Sequence, residues 1–313
     1  LSDLTAAASK RRVGLTMAVL GAVAFSGKAI IIKLAYRYGV DAMTLIMLRM
    51  LFALPWFLLL IGWSGRGQAP LSRRDLGAIA GLGFTGYYLA SYLDFLGLGY
   101  VSASFERLLL YLNPTLVLLL GWLLFGKRVH GQQMLGMAIS YAGVVVVFGH
   151  ELQWASAQGD ATQSANTIAG AGLVLASAFS YATYLVYSGE WVKRLGSLRL
   201  VGWASSFACI LCIGQFFLFK PLSALSVAPE VVWLSLLNGT LCTVVPVVLV
   251  MLAIERIGAA ASAQSGMVGP VSTIAMGILL LGEPFTWPVA LGTVLVMVGI
   301  YVFSQTSIQA ERI

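Results

Sequence analysis

Ten runs of apolar residues, each near the length of a bilayer crossing, take up nearly the whole chain. They cover residues 13–34, 43–62, 76–98, 102–125, 131–149, 168–189, 200–219, 230–252, 259–281 and 285–304. A helix rising 1.5 Å per residue needs ~20 residues to cross ~30 Å of hydrocarbon, so each run predicts one transmembrane helix. The polar connections are short. Only Gly99, Tyr100 and Val101 separate the third run from the fourth, which predicts an antiparallel hairpin. The exception is Glu151–Thr167, polar and rich in Ala, Ser, Gln and Thr, which reads as a flexible external linker. The expected fold is all-α and integral to the membrane: a first five-helix unit over 1–149, a linker over 150–167, and a second five-helix unit over 168–313 that ends in a short tail.

The second unit echoes the first. Displaced by 156 positions, Pro114 falls on Pro270, Gly121 on Gly277, Gly126 on Gly282, Gly136 on Gly292 and Gly143 on Gly299, and upstream Gly83 falls on Gly239. At a displacement of 154, Ala24-Phe25-Ser26 meets Ala178-Phe179-Ser180. An odd number of crossings per unit forces the two units into opposite orientations. Inverted repeats of this kind are a transporter architecture that holds its substrate near the midplane.

Composition agrees. The chain is 59% hydrophobic and 10% charged, against about 25% charged residues in a soluble domain. The net charge of +7 is a topology signal and not a nucleic-acid footprint. Of 19 Lys and Arg, 13 fall on one predicted side: Lys10, Arg11, Arg12, Arg66, Arg73, Arg74, Lys127, Arg128, Lys193, Arg194, Arg199, Arg256 and Arg312. The other side holds Lys33, Arg37 and Lys220, and its longest loop has Glu151 and Asp160 with no base. Basic loops stay cytoplasmic, so both termini are expected in the cytoplasm of a bacterial inner membrane protein. A removable signal peptide is not expected, because the first apolar run has a span's length and no small-residue cleavage site follows it. Cys209, Cys212 and Cys242 lie inside predicted spans, and no Cys/His spacing suggests a metal. His130 and His150 sit at helix ends. No cofactor is implied, and no nucleotide loop or catalytic signature is present. Gly81-Leu82-Gly83-Phe84-Thr85-Gly86 imitates a dinucleotide fingerprint but has no preceding strand. The glycines read as packing devices: Gly136, Ser140 and Gly143 on the fifth helix, Gly292 and Gly299 on the tenth, and Gly77 with Gly81 on the third. A dimer surface on the fifth and tenth helices stays open beside that reading, as does the choice between monomer and homodimer.

Three groups of residues carry candidate chemistry. Pro114 and Pro270 occupy equivalent mid-span positions and Pro246 interrupts the eighth run; each frees a backbone carbonyl and offers a hinge or an acceptor for a substrate ammonium. Polar and aromatic stripes come next. Ser177, Ser180, Tyr181 and Tyr184 share one face of the sixth helix, and Tyr88, Ser91, Tyr92 and Phe95 one face of the third. Tyr111 and Asn113 stand in the fourth, with Asn238 and Thr243 in the eighth. Rings and hydroxyls together suit a solute with an aromatic body and a polar head, while helix packing is the plainer use of the same residues. Charges inside the spans form the third group: Lys28, Arg49, Asp94, Glu106 and Arg107, all in the first unit. Their counterparts are neutral, with Lys28 mapping onto Ala182 and Glu106 onto Ser262. Charge at this depth costs ~2.5–3.5 kcal/mol or more unless paired or hydrated, so Asp94 or Glu106 is expected to pair with Lys28, Arg49 or Arg107. A network that braces the helix ends and a functional vestibule are both open.

The mid-helix Pro114 and Pro270, the helix ends at Gly126 and Gly282-Glu283, and the glycine-spaced helices after each resemble the drug/metabolite transporter superfamily. Within it they are similar to the ten-helix EamA-type exporters and closest to the YddG-type branch. The resemblance covers the whole chain. The family commonly closes both the fourth and ninth helices with a small residue followed by Glu; here the ninth keeps Gly282-Glu283 while the fourth has Gly126-Lys127. It implies a cavity lined by helices one to four and six to nine, with five and ten packed outside. It also implies export of aromatic amino acids or similar metabolites. A broad-specificity exporter of other amino acids or xenobiotics is the nearest alternative, and a channel a more distant one; an intramembrane enzyme lacks its nucleophile and base. No acid stands at the bilayer centre, so alternating access by facilitated diffusion or exchange is the expected mechanism.

Overall fold

The computed structural model describes residues 2–126, 130–157, 161–266 and 268–310. The basic positions Lys127, Arg128 and Arg312 and the acid Asp160 lie outside them. Within them the backbone forms helices and no strands. We number the rods α1 (Ser2–Tyr36), α2 (Ala42–Ser64), α3 (Arg73–Gly83, continuing through a π-helical Phe84–Leu89 into Ala90–Leu98) and α4 (Ala103–Leu110 and Asn113–Phe125). Then follow α5 (Gly131–Ala157), α6 (Ala161–Leu195) and α7 (Ser197–Phe219). Next come α8 (Pro229–Gly239, a π-helical Thr240–Val244, and Val245–Ser265), α9 (Val268–Met276 with a π-helical Gly277–Leu281) and α10 (Trp287–Ala310). Seven stretches are long and apolar enough to cross a bilayer: Arg12–Tyr36, Ala42–Ser64, Ala103–Phe125, Gly131–Ser156, Thr162–Gly189, Ser197–Phe219 and Pro229–Ala253. Val268–Leu281 and Trp287–Phe303 are shorter apolar helices.

Local chemistry sets the boundaries. Asp41 caps α2 by accepting from the N–H groups of Met43 at 3.1 Å and Thr44 at 3.3 Å. Ser72 and Asp75 form a reciprocal capping box at the start of α3. Ser102 caps α4 by accepting from Phe105 N. Helices α4 and α9 end on Gly126 and Gly282, whose φ values of 62° and 72° lie in the left-handed region that suits a residue without Cβ.

The two π-helical segments of α3 and α8 each follow a glycine, Gly83 and Gly239, 156 positions apart. Both glycines mark close crossings. A Cβ on Gly83 would stand 2.5 Å from the Ala204 carbonyl oxygen of α7, and one on Gly239 2.6 Å from that of Arg49 in α2. Helices α1 and α8 run antiparallel in contact along their length: Gly14 lies against Ile257, Gly21 against Val250 and Gly27 against Cys242. Ser26 nevertheless bonds the carbonyl of Gly269. Helix α8 runs on to Ser265 before the chain turns into α9.

One apolar core joins α1, α2, α3, α7 and α8 around Ile32, Leu45, Phe57, Phe95 and Phe216. A second joins α4, α5, α6 and α10 around Phe105, Leu108, Val147, Val174 and Val296. The small-residue stripes of α5 and α10 face each other. A Cβ on Gly136 would lie 2.6 Å from the Gly299 carbonyl oxygen, and one on Gly143 2.6 Å from that of Gly292. These stripes pack against each other inside the chain.

Two expectations are corrected. Most of 150–167 is helical, because Ala, Leu and Gln continue α5 and α6 beyond their apolar runs; the Ser156 and Ser164 hydroxyls meet at 2.9 Å beside the connection. Gly77 and Gly81 do not pack: a Cβ on either would meet nothing within 4 Å. Gly83 and Gly86 make the close contacts of α3 instead, Gly86 with the Tyr184 ring.

Candidate functional site

The fourth helix organises the site. From Ala103 to Leu109 every residue is buried. The helix then breaks at Tyr111 and Leu112, where Leu112 N turns to the Leu109 carbonyl, and resumes with Pro114 as its second residue. Trp122 to Gly126 are all exposed, more than a full helical turn. Helix α9 begins just after a matching interruption at Gly266 and carries Pro270 in its first turn. Pro246 likewise stands second after the π-helical segment of α8. Pro114 and Pro270 occupy positions where a helix resumes, so their missing N–H removes no donor that the preceding turn relies on, whereas Pro246 follows a π-helical turn within a continuous helix.

The two breaks touch. Tyr111 donates its hydroxyl to the Gly266 carbonyl at 2.6 Å. Gly269 lies so close to the Tyr111 hydroxyl and the Arg107 guanidinium that no side chain fits there. Ser26 of α1 donates to the Gly269 carbonyl at 2.9 Å, and Ser272 of α9 donates to Ser26 at 3.0 Å.

Arg107 holds the centre of this junction. Its Nη2 donates to Ser26 Oγ at 3.3 Å, and its guanidinium lies over the rings of Phe25 at 5.3 Å and Tyr111 at 5.2 Å. Its Nε has no hydrogen-bond partner, and among the described residues no carboxylate lies within ion-pairing distance of it. Arg49 is similar. Nε donates to Thr243 Oγ1 at 2.9 Å, and the Thr243 hydroxyl donates to the Asn238 carbonyl at 2.7 Å. Phe95 lies 5.2 Å from this guanidinium, whose Nη1 is unpartnered. The acids sit with the lysine. Lys28 Nζ is 2.6 Å from Asp94 Oδ2 and 3.4 Å from Glu106 Oε1, with all three side chains buried.

The end of α4 nearest this cluster is clamped by a residue of the second half. Glu283, just past the left-handed Gly282, accepts from Ala103 N at 2.7 Å, Ser104 N at 3.2 Å and the Ser104 hydroxyl at 2.6 Å. Two orphan donors at a helix N-terminus thus receive a carboxylate, which the helix dipole also favours. Ser102 bonds Glu151 of α5, and Arg37 donates to the Leu281 carbonyl at 2.7 Å.

The polar and aromatic stripes divide. Ser177 donates to the Ala90 carbonyl and Ser180 to the Thr85 carbonyl, each at 2.7 Å, so both hydroxyls serve the α3–α6 contact. Tyr184 is 5% exposed, bonds Tyr87 at 3.1 Å and stacks with Tyr181 at 5.5 Å inside a packed cluster. Tyr88 and Tyr92, half-buried, stack with centroids 6.5 Å apart, and Ser91 beside them is half-buried too. Asn113 is half-buried next to the α4 break, whereas Asn238 is fully buried with no partner for its side-chain atoms. Sequence reasoning assigned no role to Phe25, Ser26 or Glu283. The first two stood in the repeated Ala-Phe-Ser, and the third in the helix-end pair.

Buried polar junctions between broken, apolar, glycine-packed helices define a multi-pass membrane transporter. The chain belongs to the EamA-like transporter family, which it matches twice, over residues 12–149 and 168–305. It is 33% identical over 283 residues to the uncharacterized transporter YcbK of Bacillus subtilis, covering 86% of each chain. An uncharacterized transporter of Archaeoglobus fulgidus is 24% identical, with 88% of this chain and 92% of the relative covered. A protein crystal structure shares the fold with a TM-score of 0.63 at 18% identity, covering 95% of this chain and 98% of that one.

Proposed function

We propose that the chain exports small amphipathic metabolites, aromatic amino acids first among them, by alternating access between two inverted five-helix halves. The observation that carries this reading is Arg107. It is a buried guanidinium flanked by two aromatic rings, without an acid partner among the described residues, at the meeting point of two interrupted helices. A substrate carboxylate suits its open donor geometry. An ammonium suits the remaining lone pair of the Gly266 carbonyl, and an aromatic body suits Phe25, Tyr111, Tyr88 and Tyr92. The two family matches, offset by 156 positions like the glycines, support ten crossings in two repeats. An odd number of crossings in each makes the pair inverted.

The basic loops orient the bundle with both termini cytoplasmic in a bacterial inner membrane. Glu283 and the α4 N-terminus then lie at the outer end, closed, and the exposed end of α4 lies at the inner end. The test is counterflow in proteoliposomes with a panel of labelled amino acids. Saturable exchange of tryptophan, tyrosine and phenylalanine that is lost in Arg107→Gln supports the reading. Preference for non-aromatic amino acids or xenobiotics redirects the substrate, and unsaturable flux makes the protein a channel.

A further inference from the structure

We propose that Asp94 and Glu106 together bind a single exchangeable proton, and that this proton drives export by moving inward in exchange for substrate. The proton site goes beyond the export reading and rests on it only for the direction of exchange.

The geometry is one of too few donors. Glu106 is 0% exposed and Asp94 2%. Lys28 is the cation in contact with both, and its short contact goes to Asp94 Oδ2. Asp94 Oδ1 and both Glu106 oxygens receive no hydrogen bond. Two ionised carboxylates here would share one ammonium and leave three buried acceptors empty, a costly arrangement. One proton on Glu106 resolves it. The new O–H turns toward the Asp94 carboxylate, which touches the same ammonium as Glu106, and the remaining negative charge is neutralised by Lys28. Acids that share a site do not ionise together for the same electrostatic reason.

The surrounding charges leave this balance in place. From α1, Lys28 and the more distant Lys33 face Glu106. Asp94 faces it from α3, and Arg107 lies beside it in α4 but is turned to Ser26 and the rings. Arg49 of α2 adds its positive field to Asp94 but is bonded to Thr243 and lies over the Phe95 ring, and Tyr36 donates to the neighbouring Phe95 carbonyl. Glu151 of α5 and Glu283 beyond α9 are both occupied at the α4 N-terminus.

Position makes the proton useful. Glu106 lies one turn below Ala103, the residue clamped by Glu283, so release of that clamp exposes the acid pair to the outer solution. On the other side Arg107, Ser26 and Ser272 continue as a chain of polar groups to the midplane junction. The proton binds a carboxylate oxygen from outside and leaves the same oxygen toward the inside, with no other bond made or broken. One pH unit across the membrane is worth about 1.4 kcal/mol, or roughly tenfold in accumulation for one proton per substrate.

Two measurements decide it, both on the full chain. Infrared pH-difference spectra in lipid nanodiscs are expected to show the carbonyl stretch of a protonated carboxylic acid at neutral pH. Glu106→Gln or Asp94→Asn abolishes or shifts that band, and if both misfold, Glu106→Asp, which keeps an acid at shorter reach, moves it. Absence of the band in the unaltered protein, or a band indifferent to every one of these changes, overturns the proposal. In proteoliposomes with labelled phenylalanine as the probe, an imposed pH gradient is expected to raise accumulation roughly tenfold per unit, and Glu106→Gln loses that increment. Transport indifferent to the gradient overturns the coupling. If phenylalanine does not move at all, the export reading fails, and the infrared result alone decides whether the pair holds a proton.

Discussion

The two halves of α4 lie on one helix and in opposite environments. From Ala103 to Leu109 the helix is enclosed on every side, and Glu283 holds its first N–H groups. From Trp122 to Gly126 it is exposed on every side. Hydrophobicity does not separate them, since the enclosed half contains Glu106 and Arg107 while the exposed half is Trp, Leu, Leu and Phe before its glycine. What separates them is how many partners each finds. The enclosed half meets α1, α5, α6 and α9 with its polar groups facing α1, α3 and Glu283; the exposed half keeps the contact of the Phe125 ring with Tyr187 of α6. The break at Tyr111 separates a half that Glu283 holds at its N-terminus from one that ends in exposed residues.

The strongest way to break this comparison is to remove the clamp. Glu283→Ala leaves the N–H groups of Ala103 and Ser104 and the Ser104 hydroxyl without their charged acceptor. Hydrogen bonds to a charged group contribute about 1.5–3 kcal/mol, so the equilibrium is expected to shift roughly ten- to hundredfold toward opening of the clamped end. A cysteine at Ala103, which is 0% exposed, placed in a background lacking Cys209, Cys212 and Cys242, reads this out. It should react with an impermeant thiol reagent from outside much faster when Glu283 is Ala. Equal rates with and without Glu283 would reduce the contact to ordinary helix capping.

A second change sharpens the contrast between moving and static helices. The α5–α10 pair is packed backbone on backbone, and a Cβ on Gly136 would stand 2.8 Å from Phe303 N as well as close to the Gly299 carbonyl. Gly136→Ala is expected to destabilise the fold by about 1–3 kcal/mol through overpacking. Turnover per folded molecule should stay unchanged, because neither helix contributes to the Arg107 junction. Thermal unfolding together with counterflow of the folded fraction checks this, and a changed substrate affinity would make α5 and α10 part of the moving machinery.

Much of this architecture was legible in the sequence because lipid simplifies the physics. Spans must be apolar and helical to satisfy their own backbones, so their approximate ends can be read directly, and the recurrence of Gly83, Gly126 and Pro114 at fixed spacing marked the crossings, caps and breaks. The partners of polar side chains were not legible. Serines at helical spacing look alike whether they line a cavity or, like Ser177 and Ser180, bond a neighbouring helix's carbonyls. Tyr184 sits in the same periodic stripe as Tyr181 yet packs onto Gly86, a contact across nearly a hundred residues that no local pattern encodes. Arg107 and Lys28 were both visible as buried cations, but only three-dimensional packing gives the acids to Lys28 and leaves Arg107 to the rings.

The smallest expected effect lies at the opposite end of the bundle from the clamp, where Asp75 of α3 and Arg194 of α6 are tied together. Asp75 accepts from the Ser72 hydroxyl at 2.7 Å and the Ser72 N–H at 2.8 Å, and Arg194 lies 3.0 Å away with its side chain 52% exposed. The Ser72 hydrogen bonds, hydroxyl first, hold the Asp75 carboxyl below its ordinary value of 3.8; the Arg194 charge adds to them, and burial pushes the other way without prevailing. A carboxyl held lower in the folded protein than in the unfolded chain stabilises the fold above the ordinary carboxylate range. That contribution fades as the pH falls through the lowered folded value. The difference in unfolding temperature between the unaltered protein and Asp75→Asn should therefore be constant around neutrality and shrink as the medium is acidified below the ordinary value. Added salt should diminish the Arg194 share, because an exposed pair is screened. Reactivity of the cysteine at Ala103 should not respond to Asp75→Asn. If it does, the tether and the clamp are coupled, and the two ends of the bundle move as one body and not about the break at Tyr111.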